Sequence, residues 1–155
     1  MAEDGPAVSG LIAACPPLDA NSAYCNLLQC THFADSCVVA ERDGRLGGWL
    51  SAYRPPADPD QLFVWQVAVA AAARGRGLGR GLLDALLARP AARGATTLTT
   101  TITGENDASW ALFSAFARDH NARIDRRPIF DRDAHFAGRH ETEHLVSIAP
   151  IMPGH

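Results

Sequence analysis

Residues 62–81 read Leu-Phe-Val-Trp-Gln-Val-Ala-Val-Ala-Ala-Ala-Ala-Arg-Gly-Arg-Gly-Leu-Gly-Arg-Gly, and this stretch restricts the fold more than any other. An apolar, strand-like run leads into glycines on alternate positions, Gly75, Gly77, Gly79 and Gly81, with arginines among them. An amphipathic helical pattern follows. Glycines so spaced let the backbone turn sharply and leave N–H groups uncovered. At the start of a helix those donors have no intrahelical partner, and the helix dipole adds roughly half a positive charge there. The combination is a cradle for phosphate, with Arg74, Arg76 and Arg80 available to add charge.

Elimination narrows the phosphate ligand. A Walker loop needs a lysine after its second glycine, and all 14 basic residues of this chain are arginine. The dinucleotide fingerprint needs glycines in the order G-x-G-x-x-G, which alternate spacing does not match. What remains is Arg74-x-x-Gly77-x-Gly79, which resembles the R/Q-x-x-G-x-G/A motif of the GNAT superfamily of N-acetyltransferases. The resemblance implies that Arg74, Gly75, Arg76, Gly77, Leu78, Gly79 and Arg80 hold the pyrophosphate of acetyl-coenzyme A. The bare hexapeptide also reads as an ordinary glycine-rich loop or an RNA-contacting Arg-Gly segment. The strand before it and the helix after it favour the cradle.

Composition supports a small-anion site. A chain of 155 residues has the size of one domain, able to bury about 70% of its unfolded surface, and we expect a single acetyltransferase domain over 1–155. It is 47% hydrophobic and 20% charged, hence globular. A net charge of −3 and a pI near 6.0 argue against a nucleic-acid partner. No apolar run approaches the ~20 residues of a membrane span, and the opening Met-Ala-Glu-Asp-Gly-Pro lacks the pattern of a signal peptide. We therefore expect a cytoplasmic protein with no membrane partner. Cys15, Cys25, Cys30 and Cys37 form no C-x-x-C pair and have apolar neighbours, so we expect reduced, buried thiols and no metal.

Along the chain, Asp4 is placed to cap a helix over 6–14 that Pro16-Pro17 stops. Asp19 or Asn21 is placed to cap a second helix over 22–30. Segments 36–40 and 47–53 flank Glu-Arg-Asp-Gly-Arg, a hairpin signal. A strand is expected over 62–69 and a helix over 76–89, with Leu78, Leu82, Leu83, Leu86 and Leu87 on its inner stripe. The threonine-rich run 97–103 alternates as a strand. A helix over 106–119 puts Trp110, Phe113 and Phe116 forward as core, and segments 123–130 and 143–149 supply two final strands. This order is α+β and matches the superfamily's layout, a GNAT-like α/β/α sandwich. Its central sheet is mixed, mostly antiparallel and splayed between two central strands. The strand that usually opens the superfamily's fold has almost no residues here.

The superfamily resemblance implies more. Pantetheine is expected to enter the splay and pair with backbone at Gln66, Val67 and Val69, with Asn106 also contacting the coenzyme. The superfamily's frequent general acid is a tyrosine in an L-Y pair, and here that pair is Leu112-Phe113. Phenylalanine has no proton to give, so another group protonates the leaving thiolate or the thiolate leaves unaided.

Four further blocks narrow the resemblance: Pro-Pro-Leu-Asp-Ala-Asn-Ser-Ala-Tyr at 16–24, Leu-Leu-Gln-Cys-Thr-His-Phe at 27–33, Phe-Val-Trp-Gln-Val-Ala-Val at 63–69 and His-Glu-Thr-Glu-His-Leu at 140–145. Together they resemble the L-2,4-diaminobutyrate acetyltransferases, homodimeric enzymes that acetylate the γ-amine on the way to the osmolyte ectoine. By that resemblance Asp19, Tyr24, Trp65, His140 and Glu143 line the amino-acid pocket. The chemistry is apt, since a substrate with two ammonium groups and one carboxylate needs anions and a few donors. Each residue also has a plainer reading: Asp19 as a helix cap, Trp65 as core, His140 and Glu143 as a solvated face.

The acceptor must react as a neutral amine, yet an aliphatic ammonium is only about one part in a thousand neutral at pH 7, a deficit of roughly 4 kcal/mol. Glu143 is the candidate base or water relay. Backbone N–H near Val67 is the candidate oxyanion donor, a contact typically worth roughly 3 kcal/mol. Direct attack on the thioester requires no acyl-enzyme. Three readings compete: the diaminobutyrate enzyme, a GNAT enzyme for another small-molecule or peptide amine, and a non-catalytic acyl-coenzyme A sensor.

Overall fold

The computed structural model describes residues 1–152, which fall into two compact units: Met1–Tyr53 with Val64–Gly94, and Arg54–Phe63 with Ala95–Met152. The elements follow the expected order. The first unit holds helices α1 (Gly5–Ala13) and α2 (Ala23–Thr31), strands β1 (Val38–Arg42) and β2 (Arg45–Tyr53), most of β3 (Gln61–Val69), and helix α3 (Leu78–Leu87). Its strands hydrogen-bond in the order β1-β2-β3. The second holds β4 (Thr97–Thr103), helix α4 (Asp107–Asp119), β5 (Arg123–Phe130) and β6 (Glu143–Ala149), in the order β4-β6-β5. The described chain opens helically, with a 3-10 turn at Ala2–Asp4 leading into α1.

In the first unit β1 and β2 pair antiparallel from Val38↔Leu50 to Arg42↔Arg45. The loop is Asp43-Gly44, with φ of +53° and +72°, the doubly left-handed geometry that twisted hairpins favour. Neighbouring strand residues face opposite ways, and Gly48 and Trp49 show what each face meets. A Cβ on Gly48 would lie 3.0 Å from Leu82 and 3.2 Å from Leu78, both on α3. Trp49 instead joins a cluster with Val8, Leu11 and Ile12 of α1 and Ala68 of β3. Helices therefore cover both faces, and absence of a side chain at position 48 lets α3 lie close. Leu82, Leu83, Leu86 and Leu87 are buried as expected, while Leu78 is half-buried.

The capping expectations need correction. Ser22 caps α2, its Oγ accepting from the Cys25 N–H at 3.1 Å. Neither Asp19 nor Asn21 reaches that end, because Asp19–Ser22 runs as an irregular segment and only the residue beside the first turn can bend back to it. Asp4 occupies the N-cap position of α1 but its carboxylate is turned to the chain's terminal ammonium.

In the second unit β6 lies centrally, antiparallel to β4 (Leu98↔Ile148 to Thr103↔Glu143) and to β5 (Arg123↔Ala149 to Phe130↔Glu143). Leu98, Ile102, Val146 and Ile148 are buried, as are Phe113 and Phe116 of α4. Trp110 is only half-buried, its indole N–H donating to Thr103 O at 3.0 Å while Arg126 stacks over the ring. β5 is the outer strand of this unit and carries Arg123, Asp125, Arg126, Arg127 and Pro128, the charges and proline that guard a strand edge.

No helix among the described residues is long and apolar enough to cross a membrane. All four cysteines are free thiols; Cys15, Cys30 and Cys37 are buried and Cys25 is half-buried. Burial raises Cys25, Cys30 and Cys37, and pushes Cys37 up to about 11. A raised folded pKa means that the contribution of Cys37 to stability is whole below the unfolded value of 9.0 and is lost as pH rises through about 11. Alkylation of the native protein near about pH 8, followed by mass spectrometry, is expected to label Cys25 first and Cys37 only after denaturant is added, since the thiolate is the reactive form. Rapid native labelling of Cys37 contradicts this packing.

Candidate functional site

The glycine loop connects β3 to α3 within the first unit. Gly75 and Gly77 take φ of +73° and +74°, and Gly77 is the N-cap of α3 in the left-handed conformation. That conformation is costly for residues with a Cβ. A Cβ at either position would meet nothing within 4 Å, so the glycines serve backbone geometry and an open approach rather than internal packing. The exposed loop thus presents the N-terminus of α3 outward. Arg74 folds back to donate from Nε to Val69 O at 3.1 Å, tying the loop to the end of β3. Arg80 pairs with Asp84 at 3.0 Å, and Arg76 is exposed.

Asp19, Tyr24 and Trp65 also belong to the first unit. Asp19 is exposed, and since Ser22 takes the cap, the plainer reading of Asp19 falls. Tyr24 stands in the first turn of α2, 70% exposed. Trp65 is 42% exposed, which removes the core reading. Its ring is held edge-on against Tyr53 with centroids 6.3 Å apart, and Tyr53 meets Phe33 at 6.1 Å in the same way. The next residue, Gln66, turns its side chain inward and is 6% exposed, while its N–H donates to Ser51 Oγ at 3.2 Å. Val67 and Val69 are half-buried on the same strand.

Asn106, His140 and Glu143 belong to the second unit. Asn106 is the N-cap of α4, its Oδ1 accepting from the Ser109 N–H at 3.1 Å. Phe113, where the superfamily's tyrosine is expected, is 3% exposed, so this position faces the interior of its unit. Glu143 begins β6, opposite Thr103 on one side and Phe130 on the other. His140 Nε2 lies 3.8 Å from Glu143 Oε1, with side-chain exposures of 30% and 17%. Such partial burial replaces the solvated-face reading. His140 Nδ1 lies 2.7 Å from Glu141 O. A carbonyl only accepts, so Nδ1 carries the hydrogen and Nε2 is the nitrogen turned to Glu143.

Sequence reading passed over the residues that hold these groups. Phe136 packs against His140 at a tilt of 42°, centroids 4.6 Å apart. Asp131 folds the start of that loop by accepting from the N–H groups of Asp133 and Ala134, both at 2.9 Å, which lowers its carboxyl below the usual value. Arg132 closes the loop on Glu141 at 3.1 Å. The signal for Phe136 was faint, a lone aromatic in a polar loop. The signal for Gln66 was plain: a polar side chain at an inward position of an apolar strand.

The Acetyltransferase (GNAT) family matches residues 10–117. The L-2,4-diaminobutyric acid acetyltransferase of Methylotuvimicrobium alcaliphilum is 50% identical over 150 residues, covering 97% of this chain and 87% of that protein. The enzyme of the same name from Vibrio cholerae is 47% identical, covering 94% and 84%. Among solved structures, the diaminobutyrate acetyltransferase of Paenibacillus lautus, in complex with L-2,4-diaminobutyric acid and coenzyme A, superposes with a TM-score of 0.93 at 35% identity, covering 99% of this chain and 93% of that one.

Proposed function

The chain belongs to the GNAT family of acetyltransferases, and on that premise we propose that it transfers an acetyl group from acetyl-coenzyme A to the γ-amine of L-2,4-diaminobutyrate. The product is N-γ-acetyl-diaminobutyrate, a step towards ectoine. One observation carries the reading: the Paenibacillus lautus relative, which shares the fold along nearly the whole chain, was solved with both the amino acid and coenzyme A. The same likeness supports a single acetyltransferase domain over 1–155. A homodimer working in the cytoplasm belongs to this proposal and rests on the sequence resemblance.

Roles follow from where each residue stands. The left-handed turns at Gly75 and Gly77 and the N-terminus of α3 receive the pyrophosphate, with Arg74, Arg76, Leu78, Gly79 and Arg80 around it. Backbone of Gln66, Val67 and Val69 lies along the pantetheine arm, with the Gln66 N–H already given to Ser51 of β2. Asn106 spends Oδ1 on its cap, and its amide nitrogen is the group proposed to reach the coenzyme. Asp19 anchors an ammonium group, with Tyr24 and Trp65 orienting the substrate chain. His140 and Glu143 form the second anchoring pair, and Glu143 takes the proton that the attacking amine must lose, directly or through water. The neutral amine then attacks the thioester carbon. Negative charge develops on the carbonyl oxygen towards backbone N–H near Val67; the nitrogen gives up its surplus proton to solvent, and the C–S bond breaks to release thiolate. Phe113 is buried and has no hydroxyl, so the proton for that sulfur comes from elsewhere or from solvent.

The cradle is tested by Gly77→Glu, which sets a carboxylate beside the pyrophosphate and forces a side chain into left-handed backbone. Calorimetry on folded protein is expected to show loss of acetyl-coenzyme A binding, whereas Arg74→Ala weakens it about tenfold or less because backbone donors carry much of the contact. Unchanged affinity in folded Gly77→Glu protein overturns the cradle.

The pocket is tested by acceptor choice, followed as free thiol release. Diaminobutyrate is expected to outrun ornithine and lysine, and product analysis to place the acetyl group on the terminal nitrogen. Asp19→Asn and Glu143→Gln keep shape and remove charge, so each is expected to raise KM for diaminobutyrate about ten- to hundredfold while KM for acetyl-coenzyme A holds. Loss of turnover in Glu143→Gln with partial recovery at high pH identifies Glu143 as the base. Equal rates on all three diamines, or α-acetylation, sink this assignment, and thiol release with none of them favours the sensor.

A further inference from the structure

Gln66 breaks the pattern of its own strand. Val64 and Ala68, its inward-facing neighbours on β3, are fully buried and apolar, while Gln66 sits between them at 6% exposure. A leucine or valine would fill such a position at no polar cost, whereas a buried amide left unpaired is destabilising. Both ends of the amide are engaged. Its Nε2 donates to Asp19 O at 2.8 Å, and its Oε1 accepts from Asn21 Nδ2 at 2.8 Å. Asn21 Nδ2 also donates to Asn26 Oδ1 at 3.2 Å, and Asn26 Nδ2 donates to Ser9 Oγ at 2.8 Å.

The direction of this chain is set at one end. Asp19 O is a carbonyl and can only accept, so Gln66 must turn Nε2 towards it and Oε1 towards Asn21. Asn21 must then present its Nδ2, Asn26 its Oδ1, and the remaining Asn26 Nδ2 passes to Ser9. Neither Gln66 nor Asn21 can flip without breaking two bonds, and Asn26 cannot without breaking the one from Asn21; Asn26 is 1% exposed, so water offers little substitute. The network spans β3, the irregular segment 19–22, α2 and α1, all within the first unit. For Asp19, which lies in neither helix nor strand, it supplies the tie to the strand that carries Trp65.

We propose that Gln66, acting with Asn21, is a positioning and specificity-determining residue that holds the Asp19 carboxylate at a set distance from β3, and so fixes the length of diamino acid accepted. The proposal rests on Asp19 being the ammonium anchor. The Gln66 side chain acts through the Asp19 backbone and not on either reactant; the proposed contact with pantetheine is through main chain, which a side-chain substitution keeps. With the tie cut, Asp19 stays in the chain but its backbone loses its hydrogen bond to β3, so loss falls on recognition of the acceptor.

The test is Gln66→Met, which keeps length and apolar bulk and removes both hydrogen bonds, measured beside Asp19→Asn with diaminobutyrate and ornithine. KM for diaminobutyrate is expected to rise about tenfold with kcat and KM for acetyl-coenzyme A within about threefold, and the preference for diaminobutyrate over ornithine to shrink. Gln66→Glu keeps an acceptor for Asn21 but turns a carboxylate oxygen to Asp19 O, and is expected to be no better than Gln66→Met. In an Asp19→Asn background Gln66→Met should add less than about twofold, because the residue it positions has lost its charge. If Gln66→Met does not fold, Asn21→Ala, on the half-exposed segment, is read by the same KM and kcat split. A raised KM in Asp19→Asn with none in the folded Gln66 or Asn21 variant overturns the positioning role and leaves the anchor standing. A silent Asp19→Asn overturns both. Equal slowing with both acceptors at unchanged selectivity shows a merely structural role and overturns the proposal.

Discussion

Left-handed backbone at Gly75 and Gly77 is the constraint from which the rest of the first unit takes its arrangement. Within a few residues the chain must leave the end of β3, reverse, and begin α3 with its first N–H groups pointing outward. Residues with a side chain resist that path by about 1–2 kcal/mol each. Once α3 starts there, its leucine stripe must find the strands, and Gly48 supplies the shallow place where Leu78 and Leu82 settle. The opposite face is then left to α1 and α2, whose side chains gather around Trp49. A ligand-facing turn and a packed core are thus two results of one backbone decision, joined further by Arg74 reaching back to the last residue of β3.

Elements were legible where one periodicity dominated. The boundaries of β4, β5 and β6 are those expected, and four of the five leucines the α3 pattern marks are buried, Leu78 at the open end being half-buried. Legibility failed where several residues competed for one task. Asp19, Asn21 and Ser22 are all good helix caps, and only the path of the chain selects Ser22. It failed again where function draws on groups distant in sequence. Nothing in the string Ser9, Asn21, Asn26, Gln66 announces a connected set; the link exists because β3 passes beside the segment before α2.

The candidate site shows the same division. The cradle could be read directly, since glycine spacing carries its own backbone meaning. The amino-acid pocket could be named only by resemblance, because Asp19, Trp65 and Glu143 have ordinary structural uses on any chain. Structure changes the balance for each through burial: Trp65 is too exposed for core, and His140 with Glu143 too covered for open surface. Phe113 works in the other direction. Its burial means that the position, whatever its ancestry, is filled here by a ring with no group to donate.

His140 commits Nδ1 to the carbonyl of Glu141 and turns Nε2 towards Glu143. With one nitrogen so placed, the other edge of the ring is directed at the carboxylate that begins β6. Phe136 packed against the ring opposes a turnover that would exchange the two nitrogens. The imidazole is therefore a fixed vane rather than a free rotor: a carbonyl at one edge and a carboxylate at the other set the way it faces.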